Sequence, residues 1–203
     1  MSATPTVYAF EGIVPVIDPS AYVHPSAVLI GDVIVGPGCY VGPGAVLRGD
    51  FGRIEMKTQA NLQDNCIVHS APDFDCVMEE EAHIGHGAVI HCARIGREAL
   101  VGIQAVIMDT VVIGEQAVVA AMSFVKVADV VPPRTLVAGV PARVRRTLDD
   151  DDIAWKRRGT ALYIELAQRA LDGGIVAARP LERVEDGRGR SRWEFVSVRE
   201  RGG

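Results

Sequence analysis

Aliphatic residues recur every six positions along most of this chain. Ile17, Val23, Leu29, Val35, Val41 and Leu47 form a first run, with Ala21, Ala27, Val33, Cys39, Ala45 and Phe51 four places after each. The period resumes at Met56, Leu62 and Val68, returns at Ile84 and Ile90, takes one five-residue step, and then runs unbroken from Ile95 to Val137. Six matches neither the 3.6-residue period of a helix nor the alternation of an ordinary strand. It matches short strands joined by tight turns, three to a coil, so the predicted fold class is an all-β solenoid, a parallel β-helix of hexapeptide repeats. The aliphatic residue points inward, and the small residue four places on lets three strands close a narrow triangular prism. Gly often follows the aliphatic residue, as at Gly36, Gly42, Gly85, Gly96, Gly102 and Gly114, where a turn needs positive φ or a close approach. Residues of like phase in successive coils, about 4.8 Å apart, stack in ladders.

Two interruptions divide the chain. Residues 70–83 lack the hexad phase and carry a proline and three adjacent glutamates, Glu79, Glu80 and Glu81, which predicts a loop extruded from a β-helix spanning 1–142. After Pro141 the period stops. Asp149 to Asp152 supply an N-cap with favourable dipole charge, and Ile153, Leu162, Leu166 and Ala170 mark a C-terminal helix within 143–174, ended by Gly173 and Gly174 and packed outside the prism. Residues 175–203 read as a poorly structured tail.

Composition sharpens this picture. Of the 203 residues 48% are hydrophobic but only 5% aromatic, as a core of Val, Ile, Ala and Gly requires, and 23% charged excludes disorder. No apolar run reaches the length of a membrane span, and the N-terminus lacks a signal pattern, so a cytoplasmic protein without a membrane partner is expected. Cys39, Cys66, Cys76 and Cys92 form no CxxC pair, which points to reduced thiols. Residues 1–140 carry 7 basic and 15 acidic side chains, whereas 141–203 carry 14 and 11. An acidic body argues against nucleic acid as a partner and leaves the C-terminal part as the place for an anionic ligand.

Four of the five histidines fall within 23 positions. His69 and His91 each follow an inward aliphatic residue, Val68 and Ile90, and are separated by one 18-residue coil with four residues inserted. They are expected to stack on one outer ladder. His86, two positions after Ile84, lies in another phase on the preceding face, which a neighbouring chain around a threefold axis brings to the other two. Three imidazoles meeting there make a metal site with an open position for water. The plainer alternative is that outward histidines only decorate an interface. His24 and His83 lack the phase agreement and are expected at the surface or an interface.

The segments RGD (Arg48, Gly49, Asp50), NLQDNCIVH (Asn61 to His69) and HIGHGAVIH (His83 to His91) resemble the γ-class carbonic anhydrase branch of the hexapeptide-repeat family. The resemblance implies a left-handed winding and a homotrimer. It implies one divalent metal per interface, zinc first and iron or cobalt next, held by His69 and His91 of one subunit and His86 of its neighbour. It further implies that Arg48 and Asp50 form an interface ion pair, that Gln63 hydrogen-bonds the metal-bound hydroxide and that Asn61 lies close by. Arg48 and Asp50 equally suit a surface pair, and Asn61 and Gln63 equally suit turns. The opening YAFEGIVPVIDPSAYVHPSAVLIGDVIVG, AAMSFVK (Ala120 to Lys126) and WKRRGTALYIELAQRA are similar to the subgroup of phenylacetic acid degradation and carnitine operon proteins, whose pathways handle CoA thioesters.

A metal-bound hydroxide attacks carbon dioxide or a thioester carbonyl with equal logic. The archetypal γ-class anhydrase has Glu after the RxD aspartate, where this chain has Phe51, and that loss weakens proton transfer. The three glutamates at 79–81 offer a substitute shuttle or merely a solvated charge cluster. Tyr163 matches a family tyrosine near the metal pocket that can donate to an oxyanion, or it only packs. Arg143, Arg145, Arg146, Lys156, Arg157 and Arg158 cluster where the prism ends, as CoA phosphates require. The leading expectation is therefore a metal-dependent thioesterase acting on acyl-CoA thioesters of phenylacetate degradation. Carbonic anhydrase is the runner-up, followed by a CoA-dependent acyltransferase and a non-catalytic trimeric scaffold.

Overall fold

A computed structural model describes residues 5–184 of the chain. Short parallel strands wind into a β-solenoid of about seven turns, followed by one C-terminal helix. The strands form two sheets. The 8-stranded sheet is one face of the prism. The 12-stranded sheet covers the other two, because Val28–Val35 and Val46–Met56 run unbroken through the corner between them. Register follows the hexads: Val68 pairs Ile90, Ile90 pairs Ile107 and Ile107 pairs Val125. Leu29, Leu47, Leu62, Ile84, Ile90, Ile107 and Ile113 are fully buried, and Ala27, Ala45, Ala60, Ala88 and Ala105 fill the positions between them. All four cysteines are free and buried.

Three expectations are corrected or narrowed. The extruded loop is shorter than 70–83, because Cys76–Met78 is a strand paired with Met56 and Ile95 through Met78. Met78 and Ala82 continue the hexad phase back from Ile84 and are fully buried, so only the residues around the Ala71–Phe74 bridge leave the coil. Glu79 is no loop carboxylate, since Lys57 and Arg94 both bind it.

Second, of the two roles expected for the glycines that follow the aliphatic residue, close approach is the one that holds. The left-handed turn positions are taken largely by Gln59, Asn65, Glu98, Gln104, Gln116 and Met122. Gly102 and Gly114 are needed for closeness instead: a Cβ on Gly102 would lie 2.4 Å from the Ala121 amide nitrogen, and one on Gly114 2.5 Å from that of Pro133.

Third, the chain does not pass directly from the solenoid into a helix. Ala142–Thr147 first turns back as an antiparallel strand on Thr135–Gly139. The helix Asp150–Arg169 then starts at a capping box of Asp149 and Asp152. It packs on the 8-stranded sheet through Tyr163, Leu166 and Ala167, with Ala170 just past its end, against Tyr22 and Tyr40. Among the described residues no helix is long and apolar enough to cross a membrane. The tail expected at 175–203 lies partly outside the described residues, and residues 175–184 hold no helix or strand.

Candidate functional site

The ladder expected from histidine spacing is present. Arg48 pairs with His69 and His69 with His91 across adjacent parallel strands, which stacks the three side chains on one outer edge of the 12-stranded sheet. His69 Nδ1 lies 3.2 Å from His91 Nε2. Two nitrogens bound tetrahedrally to zinc at 2.0–2.1 Å are about 3.3 Å apart, so the pair has the spacing of two ligands of one ion. Arg48 donates to Asp50 at 2.6 Å, and Asp50 meets His69 Nε2 at 3.0 Å. Burial pushes the Asp50 carboxyl up, but the hydrogen bonds of Arg48 and His69 outweigh it and hold the pKa below its usual value. Arg48 and Asp50 thus meet within one chain, where they orient His69. Phe51, where the archetypal anhydrase has Glu, sets its ring 5.4 Å from that of His69.

His86 stands apart, near a different corner. Asp64 holds its Nδ1 at 2.8 Å, and the Tyr163 hydroxyl lies 3.3 Å from its Nε2. Burial pushes the Tyr163 phenol up to about 12, so it keeps its proton and can donate. Each of the three expected ligands therefore has a carboxylate on one ring nitrogen: Asp50 for His69, Asp64 for His86 and Asp109 for His91. A carboxylate–histidine pair of this kind orients the imidazole and leaves its other nitrogen for a metal, so the donor set fits one, with the Tyr163 hydroxyl the group that the ion displaces from His86 Nε2. A different group, His91, Cys92 and Asp109, also lies close together, yet burial pushes the Cys92 thiol up to about 11 and disfavours the thiolate a metal needs.

His83 does not lie where it is expected. It is not on the surface but 9% exposed beneath the helix, with Gln63 2.7 Å from Nε2 and Asn61 and Thr160 at 3.3 and 3.4 Å from Nδ1. Burial drives its pKa down to about 3, with the neighbouring Lys156 and His86 charges adding to the effect. Gln63 also donates to Asn61 at 3.2 Å, so both residues join this buried network rather than the His69–His91 pair. The missed signal was the outward ladder Tyr22, Tyr40, Asn61, His83 and Leu100, too apolar for a face left in water.

The cationic cluster is also thinner than expected. Lys156 is 2% exposed and donates to the Glu81 carbonyl at 3.0 Å, and burial lowers its pKa to about 8. Arg157 grips the buried Glu98 with two hydrogen bonds, and Arg146 pairs with Asp152. Arg143, Arg145 and Arg158 are exposed, the first two donating to the carbonyls of Ala142 and Ala138.

Comparison with known proteins agrees with this architecture. The bacterial transferase hexapeptide family, six repeats, matches residues 15–49. The carnitine operon protein CaiE of Proteus sp. is 50% identical over 187 residues, covering 92% of this chain and 94% of the relative. CaiE of Escherichia coli K12 is 52% identical over 183 residues, covering 90% and 93%. Among solved structures, a Bacillus cereus protein provisionally described as an acetyltransferase superposes with a TM-score of 0.81 at 31% identity, over 83% of this chain and 98% of the other. A hexapeptide transferase family protein of Anaplasma phagocytophilum gives 0.77 at 32%, over 80% and 96%.

Proposed function

The chain belongs to the hexapeptide-repeat family, in the group of the carnitine operon protein CaiE, and on that footing we propose that it is a metal-dependent hydrolase of acyl-CoA thioesters, including those of phenylacetate degradation. One observation carries the reading: three outward histidines each hold a carboxylate on one ring nitrogen, and two of them stand 3.2 Å apart. His69 and His91 of one subunit and His86 of its neighbour hold a divalent metal, zinc first among iron and cobalt, in a homotrimer. When bound, the ion supplies Lewis acidity, which lowers the pKa of water toward neutrality and stabilises charge on a carbonyl oxygen.

The remaining work falls to side chains. Asp50, tethered by Arg48, keeps His69 in place, and the Tyr163 phenol, held protonated by burial, can donate to an oxyanion at the thioester carbonyl. Phe51 lines the site with an apolar ring beside His69, which suits an acyl chain better than the proton traffic of carbon dioxide hydration. Gln63 and Asn61 sustain the wall beneath the helix, next to Tyr163 and His83. Exposed Arg143, Arg145 and Arg158 offer charge to the CoA phosphates.

The test is metal content measured alongside thiol release from a CoA thioester panel that includes phenylacetyl-CoA, for wild type and His91→Ala. Metal-dependent release lost in the variant is expected; no release from any thioester by metal-loaded protein overturns the reading. A second reading, acyl transfer from CoA, draws on the structural likeness to the B. cereus protein. It predicts thiol release that requires an added amine or hydroxyl acceptor and survives chelation.

A further inference from the structure

Two of the three histidines share an arrangement in which ring chemistry decides which atom faces outward. His86 Nδ1 lies 2.8 Å from Asp64 Oδ2, and His91 Nδ1 lies 3.0 Å from Asp109 Oδ1. A neutral imidazole carries one N–H and one lone pair, and an ionised carboxylate only accepts. Nδ1 therefore holds the proton in both rings, and Nε2 holds the lone pair, which in His86 accepts from the Tyr163 hydroxyl at 3.3 Å until a metal takes that place.

The partners come from neighbouring coils on opposite sides. Asp64 belongs to the coil before His86, and Asp109 to the coil after His91. Backbone rungs fix both separations: Gly87 donates its N–H to the Asp64 carbonyl at 2.8 Å, and Thr110 donates to the Cys92 carbonyl at 2.8 Å. The stacking of the solenoid thus holds each carboxylate against its ring before any ligand arrives.

We infer that Asp64 and Asp109 are positioning residues that lock His86 and His91 in the Nδ1-protonated tautomer and so present Nε2 of each to a divalent metal. The inference rests on the metal reading above and adds two residues to it, neither of them a ligand. Their effect is on affinity and on the electronic environment of the ion, since a ligand free to rotate or to change tautomer binds less often in the productive form.

The experiment measures Zn²⁺ and Co²⁺ affinity by competition with a chromophoric chelator, and the visible absorption of the Co²⁺ form. Wild type is compared with Asp64→Asn, Asp64→Leu, Asp109→Asn and Asp109→Leu, each checked for circular dichroism and assembly size. The Leu variants are expected to bind about 10- to 100-fold more weakly with an altered Co²⁺ spectrum. The near-isosteric Asn variants, whose carbonyl still accepts from Nδ1–H, are expected to lose less, and they carry the test if a Leu variant fails to fold. Variants with wild-type affinity and an unchanged Co²⁺ spectrum overturn the inference. Failure of the wild-type protein to bind either ion overturns the metal reading itself, and the wild-type measurement alone reveals it.

Discussion

His83 directly precedes an inward isoleucine and by phase faces outward, yet the helix covers it and burial holds it neutral with a pKa of about 3. In the unfolded chain the same group titrates near 6.5, so between these values the unfolded state binds a proton that the folded state does not. Stability from this group is complete above pH 6.5 and drains away as pH falls through that value toward 3. The expected outcome is that the urea midpoint of the wild type falls more steeply than that of His83→Gln between pH 7 and pH 5; parallel curves would count against it. Asn61 and Gln63 teach the same lesson in reverse. Their place in a motif was legible in the sequence, but their partner His83 was not, because the partner depends on what covers the face.

Among the elements, each coil of the solenoid repeats one decision about size. Where the next coil passes closest, only hydrogen fits: an added Cβ at Gly102 meets Ala121 backbone at 2.4 Å. Where the turn demands positive φ, glycine is optional, as Gln104 and Met122 show at φ 55 and 57. Gly102→Ala is therefore expected to cost about 1–3 kcal/mol by overpacking. Gly87→Asn, at the turn position equivalent to Gln104, meets only the flexible Gln104 side chain at 3.3 Å and is expected to cost less than Gly102→Ala, and thermal melts of the two variants check the contrast. The hexads exposed this repeat in the sequence because an inward ladder tolerates only aliphatic residues. The strand Cys76–Met78 was harder to see, since a charged surround at Asp73, Asp75 and Glu79 masks three buried residues.

At the level of the whole molecule, the helix runs back along the prism from Asp150, beside Arg134, to Ala170, beside Tyr22 and Tyr40. Its 20 residues span about 30 Å at 1.5 Å each, close to six coil spacings of about 4.8 Å, so one helix roofs nearly the full face. Because His86 lies on one corner and His69 and His91 on another, the proposed metal site needs two chains. Chains bearing His86→Ala and chains bearing His91→Ala, inactive alone, are therefore expected to regain metal binding and thioester hydrolysis when unfolded together and refolded as mixtures. No recovery in mixed assemblies that contain both chains would argue for a site within one chain.

By itself the sequence determined the solenoid, its coil length, the stacking of His69 on His91 and the presence of a capped helix, since each of these follows from local spacing against a fixed repeat. Only the tertiary structure decided which outward residues stay wet. The helix turned His83 and Lys156 into buried groups, Arg157 and Arg146 into structural ion pairs, and the outward ladder of tyrosines into a second small core. The structure also set Asp64 against His86, a pairing that depends on where the insertion leaves the chain, whereas Asp109 follows His91 by one regular 18-residue coil.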